Sequence, residues 1–470
     1  MSRKPCAEKA AQRAVWETIR LSVLRRKRLT ANTCVFAASF VSRLLPEPGA
    51  DFFYRQGAGY RHTARNGRIR ENMELEKAVA LLEEHTKEIT DSCTLPVGKV
   101  YGHVLAEDVC AMHNQPPFPR SPLDGYAVRG EDTTGATPSS PVTLSVIDEA
   151  DAGHVSEKTV APGEAVRIMT GAPVPAGADC VIRQEDTDCG EENVRIRTSV
   201  APFENYCREG EDFRKGDLLL PGGMYLGAAE CGILASAGRE EARVVRPVRA
   251  LVVSTGDELA KPGDTLLPGK IYDSNLYMID AALRSFGAEV TGSFVTGDDA
   301  AACAALIRKH AEQADLIVTS GGVSVGKKDI LHEVIELLPA KKLFWQVDIK
   351  PGSPMLAALY DEKPLLCVSG NPYGAFVSMH LLVRRVVAKM SRRKNLVMHT
   401  ADAEMAGIFP KPGRMRRFVR AHYEQGRVTP TSGSNSNGVL STLAGCNCLM
   451  EIPEDSAPVE AGTRCRVHLL

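Results

Sequence analysis

Glycines and charges sit together in Thr319-Ser-Gly-Gly-Val-Ser-Val-Gly-Lys-Lys-Asp329. The stretch follows an apolar run, Leu316–Thr319, and precedes a helical pattern from Ile330 to Leu338. Glycines in such a turn let backbone N–H groups approach an anion, and the helix that follows adds its partial positive end. Gly321, Gly322, Ser324 and Gly326 are therefore candidate phosphate or oxyanion contacts. From Gly321 the spacing is G-x-x-x-x-G-K, but Lys328 stands where a nucleoside-triphosphate clamp needs Ser or Thr for Mg²⁺. Asp329 then opens the helix, and a carboxylate there repels phosphate unless a cation intervenes. The pattern points to oxyanion binding without an NTPase. A tight strand-to-helix turn is the reading without chemistry.

Glu258 and Asp298, like Asp329, follow runs of strand character. In a doubly wound sheet the three loops converge at one edge. Clustered carboxylates repel unless something positive joins them, and hard oxygen ligands suit Mg²⁺. Each could instead cap a helix, which is the default for Asp298. Lys350 precedes Pro351-Gly352, a turn that aims its ammonium out of a strand end, where it could hold phosphate or another compact dianion. Asn371-Pro372 starts a helix and offers backbone N–H groups to an anion. Asp124 in an Asp-Gly pair, Thr170 before Gly-Ala-Pro and Asp212 in an acidic loop are, taken singly, ordinary turn or solvated residues.

These residues need a scaffold, and the chain changes texture to provide one. From Met73, the residues Leu75, Ala78, Val79 and Leu82 mark one apolar helix face, a helix expected over 73–92. From about Cys93 to Val245 the chain is rich in Pro and Gly, with short alternating runs such as Val142–Val146 and Val194–Thr198. From Arg249 strand and helix patterns alternate. Strands are expected at Leu251–Ser254, Ala288–Val295, Leu316–Thr319, Leu343–Ile349 and Pro364–Val368. Helices are expected from Asp273 or Ser274, from Asp298, over Ile330–Leu338 and over Gly374–Met390. Such alternation predicts a mostly parallel sheet covered on both faces. From about Arg392 the pattern returns to β. The fold class is thus α/β plus β-rich domains. The domains are 73–114 with 213–245 as a linker domain, 115–212 β-rich, 246–391 α/β and 392–470 β.

Composition excludes several classes. The chain has 470 residues, 44% hydrophobic and 24% charged, with a formal net charge of −1. A general nucleic-acid binder would need a basic excess. Residues 1–72 carry fifteen Lys and Arg against five Asp and Glu, so the remainder stands near −11. That basic segment is expected to be disordered or read through from an upstream start, and it is set aside from the fold. No apolar stretch approaches the ~18 residues of a membrane span. The thirteen Cys lack a CxxC pair and imply a reducing cytoplasm. Cys446 and Cys448 have no second close pair to complete a four-ligand metal site.

Several loops occur together and in order: Pro116-Pro-Phe-Pro-Arg-Ser-Pro-Leu-Asp-Gly-Tyr-Ala-Val-Arg129, Thr170-Gly-Ala-Pro-Val-Pro-Ala-Gly-Ala-Asp179, Arg208-Glu-Gly-Glu-Asp212, Ser254-Thr-Gly-Asp-Glu-Leu259, the Gly321 loop, Lys350-Pro-Gly-Ser-Pro354 and Ser369-Gly-Asn-Pro372. In this order they resemble the molybdopterin molybdenumtransferase family, which includes the C-terminal domain of gephyrin. The resemblance spans roughly Met73 to Leu470. It implies insertion of molybdate into adenylylated molybdopterin with release of AMP, assisted by Mg²⁺. It also implies an elongated homodimer of four-domain subunits, the α/β domain of one facing the β domain of the other. By that resemblance Asp124, Thr170, Asp212, Glu258, Asp298 and Asp329 are catalytic, and the last three hold the metal. Gly321, Gly322, Ser324, Gly326, Lys350, Pro351, Asn371 and Pro372 bind the substrate. Arg420 and Ser436 fall near positions that contact molybdate, in competition with Arg414, Arg416 and Arg417.

The chain departs from the family pattern at Leu123 for Met, at Lys327 and Lys328, and at Ser369 for Pro. Ser353 and Gln346 replace lysines found in several relatives. The implied partners are small-molecule substrates, the adenylyltransferase that supplies them and the molybdoenzyme apoproteins, with no nucleic acid and no membrane. Alternatives are molybdopterin adenylylation, a gephyrin-like scaffold without catalysis, and tungstate in place of molybdate.

Overall fold

The computed structural model describes residues 72–323, 329–432 and 436–470. The chain from Glu71 to Leu470 forms one compact unit. The basic N-terminal segment and its expected disorder lie outside the described residues.

The α/β domain is built on six strands, labelled here within that domain: β1 (Arg249–Thr255), β2 (Glu289–Thr296), β3 (Leu316–Ser320), β4 (Lys341–Trp345), β5 (Leu356–Tyr360) and β6 (Lys363–Val368). Their order is β2-β1-β3-β6-β5-β4. Helices α1 (Asn275–Ser285), α2 (Ala300–His310), α3 (Leu331–Leu337), α4 (Pro372–Ser378) and α5 (Arg384–Met390) cover it. A π turn, Met379–Val383, joins α4 to α5. The strands read as unbroken apolar runs because both faces are buried. Along β1, Ala250 and Val252 pack with Leu276 and Ile279 of α1, whereas Leu251 and Val253 pack with Cys303 and Ile307 of α2.

The sheet is mostly parallel, as expected, with an antiparallel end. β1, β2, β3 and β6 are parallel neighbours, but β5 pairs antiparallel with both β6 and β4. The sequence reading missed β5 and carried β4 to Ile349. The β5–β6 turn is two residues long, Asp361 and Glu362, with φ of 51° and 60°. Such turns normally announce themselves with Asn-Gly or Asp-Gly, and Asp-Glu gives no such signal. The start of α1 is settled by Asp273, whose carboxylate accepts the Leu276 N–H at 3.0 Å. α2 is capped by Asp299, accepting from Ala302 at 3.0 Å, and not by Asp298. That leaves the Asp298 carboxylate outside the cap.

The first helix, expected over 73–92, is Leu75–Glu84. The Thr86 hydroxyl donates back to the Leu82 carbonyl at 2.6 Å, and Ile89 N–H turns away to Met390 O at 2.8 Å. Its face of Leu75, Ala78 and Leu82 joins the core cluster that covers one side of the sheet. The chain then runs Ser92–Pro96 against Glu241–Val245, and Val109–Cys110 against Leu218–Leu220. Between them lies a five-stranded sheet of Gly125–Val128, Val142–Ala150, Glu164–Ile168, Cys180–Arg183 and Asn193–Ile196. A closed five-stranded barrel, Thr400–Met405 to Arg464–Leu469, ends the chain.

Glu451 ties the barrel internally and to the first helix. Its carboxylate accepts from Arg416 at 2.8 Å and contacts His468 Nε2 at 2.7 Å, and Arg416 also reaches Glu76. Burial pushes the Glu451 pKa up, but the bonds from His468 and Arg416 outweigh it and bring the group to about 2. The folded value lies below the unfolded one of roughly 4.3. Its stabilising contribution is therefore complete above that unfolded value and fades as pH falls toward 2. Thermal melts from pH 6 to 2.5 should show a loss of barrel stability across that window. Glu451→Gln should be less stable at pH 6 and show a flatter acid dependence.

Candidate active site

A cavity of about 630 Å³ opens at the carboxyl ends of β1, β2, β3 and β6. Ligands in open α/β sheets bind at that edge. The loop Ser254–Leu259 after β1, Asp298 after β2, Ser320–Val323 after β3 and Ser369–Pro372 after β6 line it, with Asp329 and Pro354. The barrel contributes Gly438 and Leu440. Glu258, Asp298, Asp329, Gly321, Gly322, Asn371 and Pro372 thus share one space. Ser324 and Gly326 lie outside the described residues.

A glycine makes this convergence possible. Gly321 has φ of 93°, and a Cβ there would stand 2.2 Å from the Thr255 carbonyl, so only Gly lets the β3 loop approach the end of β1 so closely. Gly256, with φ of 155°, shapes the β1 loop itself. Asn275, buried at the start of α1, donates its amide to Ser320 Oγ at 2.7 Å and to Gly370 O at 2.9 Å. It fastens the β3 loop to the β6 loop. Sequence reasoning missed Asn275. Its signal is an amide on the apolar side of a first helical turn, just ahead of Leu276.

The carboxylates share a cavity without forming a ready cage. Among the described residues, no three His, Cys, Asp or Glu side chains are grouped to hold a metal ion. Asp298 donates its backbone N–H to Asp257 at 3.1 Å, which sets the β2 loop against the β1 loop.

Lys350 and Pro351 do not line this cavity. They line a separate pocket of about 110 Å³ with Tyr373, Lys411, Arg417, Phe418 and Asn437. The reason is backbone pairing: Lys350 N–H donates to Arg416 O at 2.8 Å, and Phe418 N–H donates to Lys350 O at 2.9 Å. This draws the strand end against the barrel. Lys350, Lys411 and Arg417 bring three cations to a pocket with no carboxylate in its lining. Lys411 had not been singled out from the sequence, and Arg417 had been left competing with its neighbours.

Arg420 lines neither space. It is fully buried, 4.0 Å over the Tyr373 ring, and donates to the carbonyls of Ser436, at 2.8 Å, and Val439. It supports the segment that brings Gly438 and Leu440 to the cavity wall, and Ser436 serves it through its backbone.

Asp124 and Thr170 form a pair. Asp124 Oδ1 accepts both the hydroxyl and the backbone N–H of Thr170, each at 2.7 Å. These two bonds hold the Asp124 carboxyl below its ordinary range. Asp212 lines a different cavity of about 350 Å³ with Phe213, Leu219 and Ile233. None of the three lines the α/β cavity of its own chain.

The same scaffold occurs in known proteins. Residues 73–238 match the family described as MoeA N-terminal region (domain I and II), 251–389 the probable molybdopterin binding domain and 402–470 the MoeA C-terminal region (domain IV). Molybdopterin molybdenumtransferase 2 of Mycobacterium tuberculosis is 37% identical over 398 residues, covering 82% of this chain and 98% of the relative. Molybdopterin molybdenumtransferase of Staphylococcus epidermidis is 36% identical over 364 residues, covering 77% and 87%. The crystal structure of the molybdopterin biosynthesis moeA protein from Pyrococcus horikoshii OT3 superposes with a TM-score of 0.72 at 30% identity, over 85% of this chain and 100% of that one.

Arg420→Met keeps volume but removes the guanidinium bonds to the Ser436 and Val439 carbonyls, leaving Ser436 O with the Val439 N–H at 3.2 Å. Losing such bonds costs about 1–3 kcal/mol. Amide exchange over 436–443 should accelerate roughly tenfold by hydrogen–deuterium exchange, with the β3 loop unchanged. Unchanged exchange there would show that the segment is held by other contacts.

Proposed function

This chain belongs to the molybdopterin molybdenumtransferase family, and from that premise we propose that it inserts molybdate into adenylylated molybdopterin, releasing AMP and yielding molybdenum cofactor. One observation carries the reading. A cavity with a glycine-lined phosphate approach and three carboxylates lies beside a carboxylate-free pocket of three cations. The first suits a phosphate bridge with its metal, the second a compact dianion such as molybdate.

The residues divide the work accordingly. Gly321 and Gly322 admit the phosphate bridge close to backbone. Lys350, Lys411 and Arg417 hold molybdate by charge and N–H donation. Glu258, Asp298 and Asp329 offer the hard oxygens that Mg²⁺ takes. Mg²⁺ keeps several waters and is usually held by one or two carboxylates plus substrate phosphates, so no closed protein cage is required. Bound there, it would neutralise the bridge and polarise it toward attack. Cleavage consumes one water: a P–O bond forms as the bridging P–O bond breaks, AMP leaves, and the proton goes to a carboxylate or to solvent. Insertion returns one water: two Mo–S bonds form as two S–H bonds and one Mo–O bond break, and the oxygen leaves with the two thiol protons.

Asp124, Thr170 and Asp212 find their place in a homodimer. Since they do not line their own chain's cavity, we assign them to the cavity of the second protomer. An adenylyltransferase would deliver the substrate, and molybdoenzyme apoproteins would take the product. No helix among the described residues is long and apolar enough to cross a membrane, and we place the reaction in the cytoplasm. Adenylylation alone would not need the N- and C-terminal regions. A pure scaffold would not need three carboxylates in one glycine-lined cavity.

Single-turnover AMP release from adenylylated molybdopterin with molybdate and Mg²⁺ tests the reading. Glu258→Ala and Asp329→Ala should each slow release about 100-fold or more. Lys350→Ala and Arg417→Ala should instead raise the molybdate needed about tenfold, with AMP binding retained. A folded parent that binds the substrate yet releases no AMP would exclude catalysis.

The dimer is tested by mixing. Asp124→Ala and Glu258→Ala homodimers should both be nearly inactive. Heterodimers of the two should regain one working site. No recovery in a purified heterodimer would place Asp124 outside the partner's reaction.

A further inference from the structure

The cavity has one aromatic wall that the chemistry above does not use. Ile271 and Tyr272 line it while remaining 56% and 46% exposed, unusual for large apolar side chains at a polar site. No aromatic ring among the described residues packs on Tyr272. The wall is nonetheless held in place. Ile271 and Tyr272 pair with Leu259 and Ala260, and Ile271 N–H donates to Glu258 O at 2.8 Å. The Tyr272 hydroxyl donates to Asp264 O at 2.9 Å, and the Lys270 ammonium reaches Asp257 O. An exposed ring fixed to the loop of a candidate metal ligand is a stacking surface for a planar group.

The substrate carries two planar ends, adenine and pterin. Their direction follows from the sheet. Pro354 and Gly438, at the β5–β6 side of the cavity, adjoin the cationic pocket through Lys350 and Asn437. Molybdate becomes bonded to the dithiolene sulfurs, so the pterin end must point there. Ile271 and Tyr272 belong to the β1–β2 side, at the other end of the order β2-β1-β3-β6-β5. We infer that the ring of Tyr272, with Ile271, is the platform for the adenine of the leaving AMP, an inference that rests on reading the cavity as the adenylylated molybdopterin site. The platform then binds the nucleotide end without touching the atoms that react, which makes Tyr272 a specificity residue.

AMP titrated into the full chain by calorimetry tests it, with Tyr272→Ala and Tyr272→Phe compared. Base–aromatic stacking predicts that Tyr272→Ala weakens AMP about tenfold. Tyr272→Phe keeps the ring and should stay within about twofold of the parent. Equal AMP affinity in Tyr272→Ala and the parent overturns the inference, as does a parent that binds no AMP. An equal loss in Tyr272→Phe and Tyr272→Ala also overturns it, since the hydroxyl bond to Asp264 would then be what matters. AMP release by the parent with molybdate is measured alongside. Release with an indifferent Tyr272→Ala sinks the platform alone. No release sinks the reading of the cavity.

Discussion

The exchange of backbone hydrogen bonds between Lys350 and the barrel fixes much of what surrounds the cavity. Lys350 donates to Arg416 and accepts from Phe418, so the end of a loop in one domain is stitched to the start of the barrel strand Arg417–Glu424. Two backbone bonds define register as well as proximity. Register places Arg417 beside Lys350, and strand alternation turns Phe418 and Arg420 out of the barrel toward the α/β domain while Val419 and Ala421 fill the barrel core. Arg420 then meets the Tyr373 ring, while the Tyr373 hydroxyl donates to Phe418 O at 2.8 Å. α4, the barrel strand and the Ser436–Leu440 segment thereby lock to one another. The cavity wall of Gly438 and Leu440 is a consequence of that register.

The opposite wall depends on close backbone approach. Gly321 against Thr255 O and the Asn275 amide across Ser320 and Gly370 pull three strand ends together. Loops drawn so close carry their acids with them, and Glu258, Asp298 and Asp329 arrive in one space. In the proposed reaction a cation with phosphate would offset the repulsion between acids sharing one space, and phosphate oxygens would complete a shell that the carboxylates alone do not close.

Sequence patterns exposed the parts governed by local rules. The alternation from Arg249 onward revealed a layered α/β domain, since a strand buried on both faces must be apolar throughout and its helices must be amphipathic. The glycine spacing at 321 and 322 and the acids after successive strands marked the cavity edge. What stayed hidden depended on contacts between distant segments. β5 was missed because its turn uses Asp361 and Glu362 at positive φ, where no glycine betrays it. That Lys350 lies in a pocket apart from the carboxylates follows from its pairing with Phe418, 68 positions away, which leaves no local trace. Arg420 and Arg417 differ by three positions in an arginine-rich run. Only the barrel register decides which is buried on Tyr373 and which reaches the pocket.

That register also bears on how positive charge is supplied. The loop Lys350-Pro-Gly-Ser-Pro354 contributes a single ammonium. The structure places two further cations, Lys411 and Arg417, around the same small pocket, both from the barrel. A compact dianion is attracted by total charge within a few ångströms and is indifferent to which segment supplies it. Supplying two of the three cations from the barrel decides what the pocket depends on. A lysine on the Lys350 loop needs only its own domain, whereas Arg417 reaches the pocket only while the barrel is docked. A dianion bound as proposed would draw Lys350 on one side toward Lys411 and Arg417 on the other, so its binding would be linked to barrel docking, and the backbone bonds at Lys350 hold the three cations within reach.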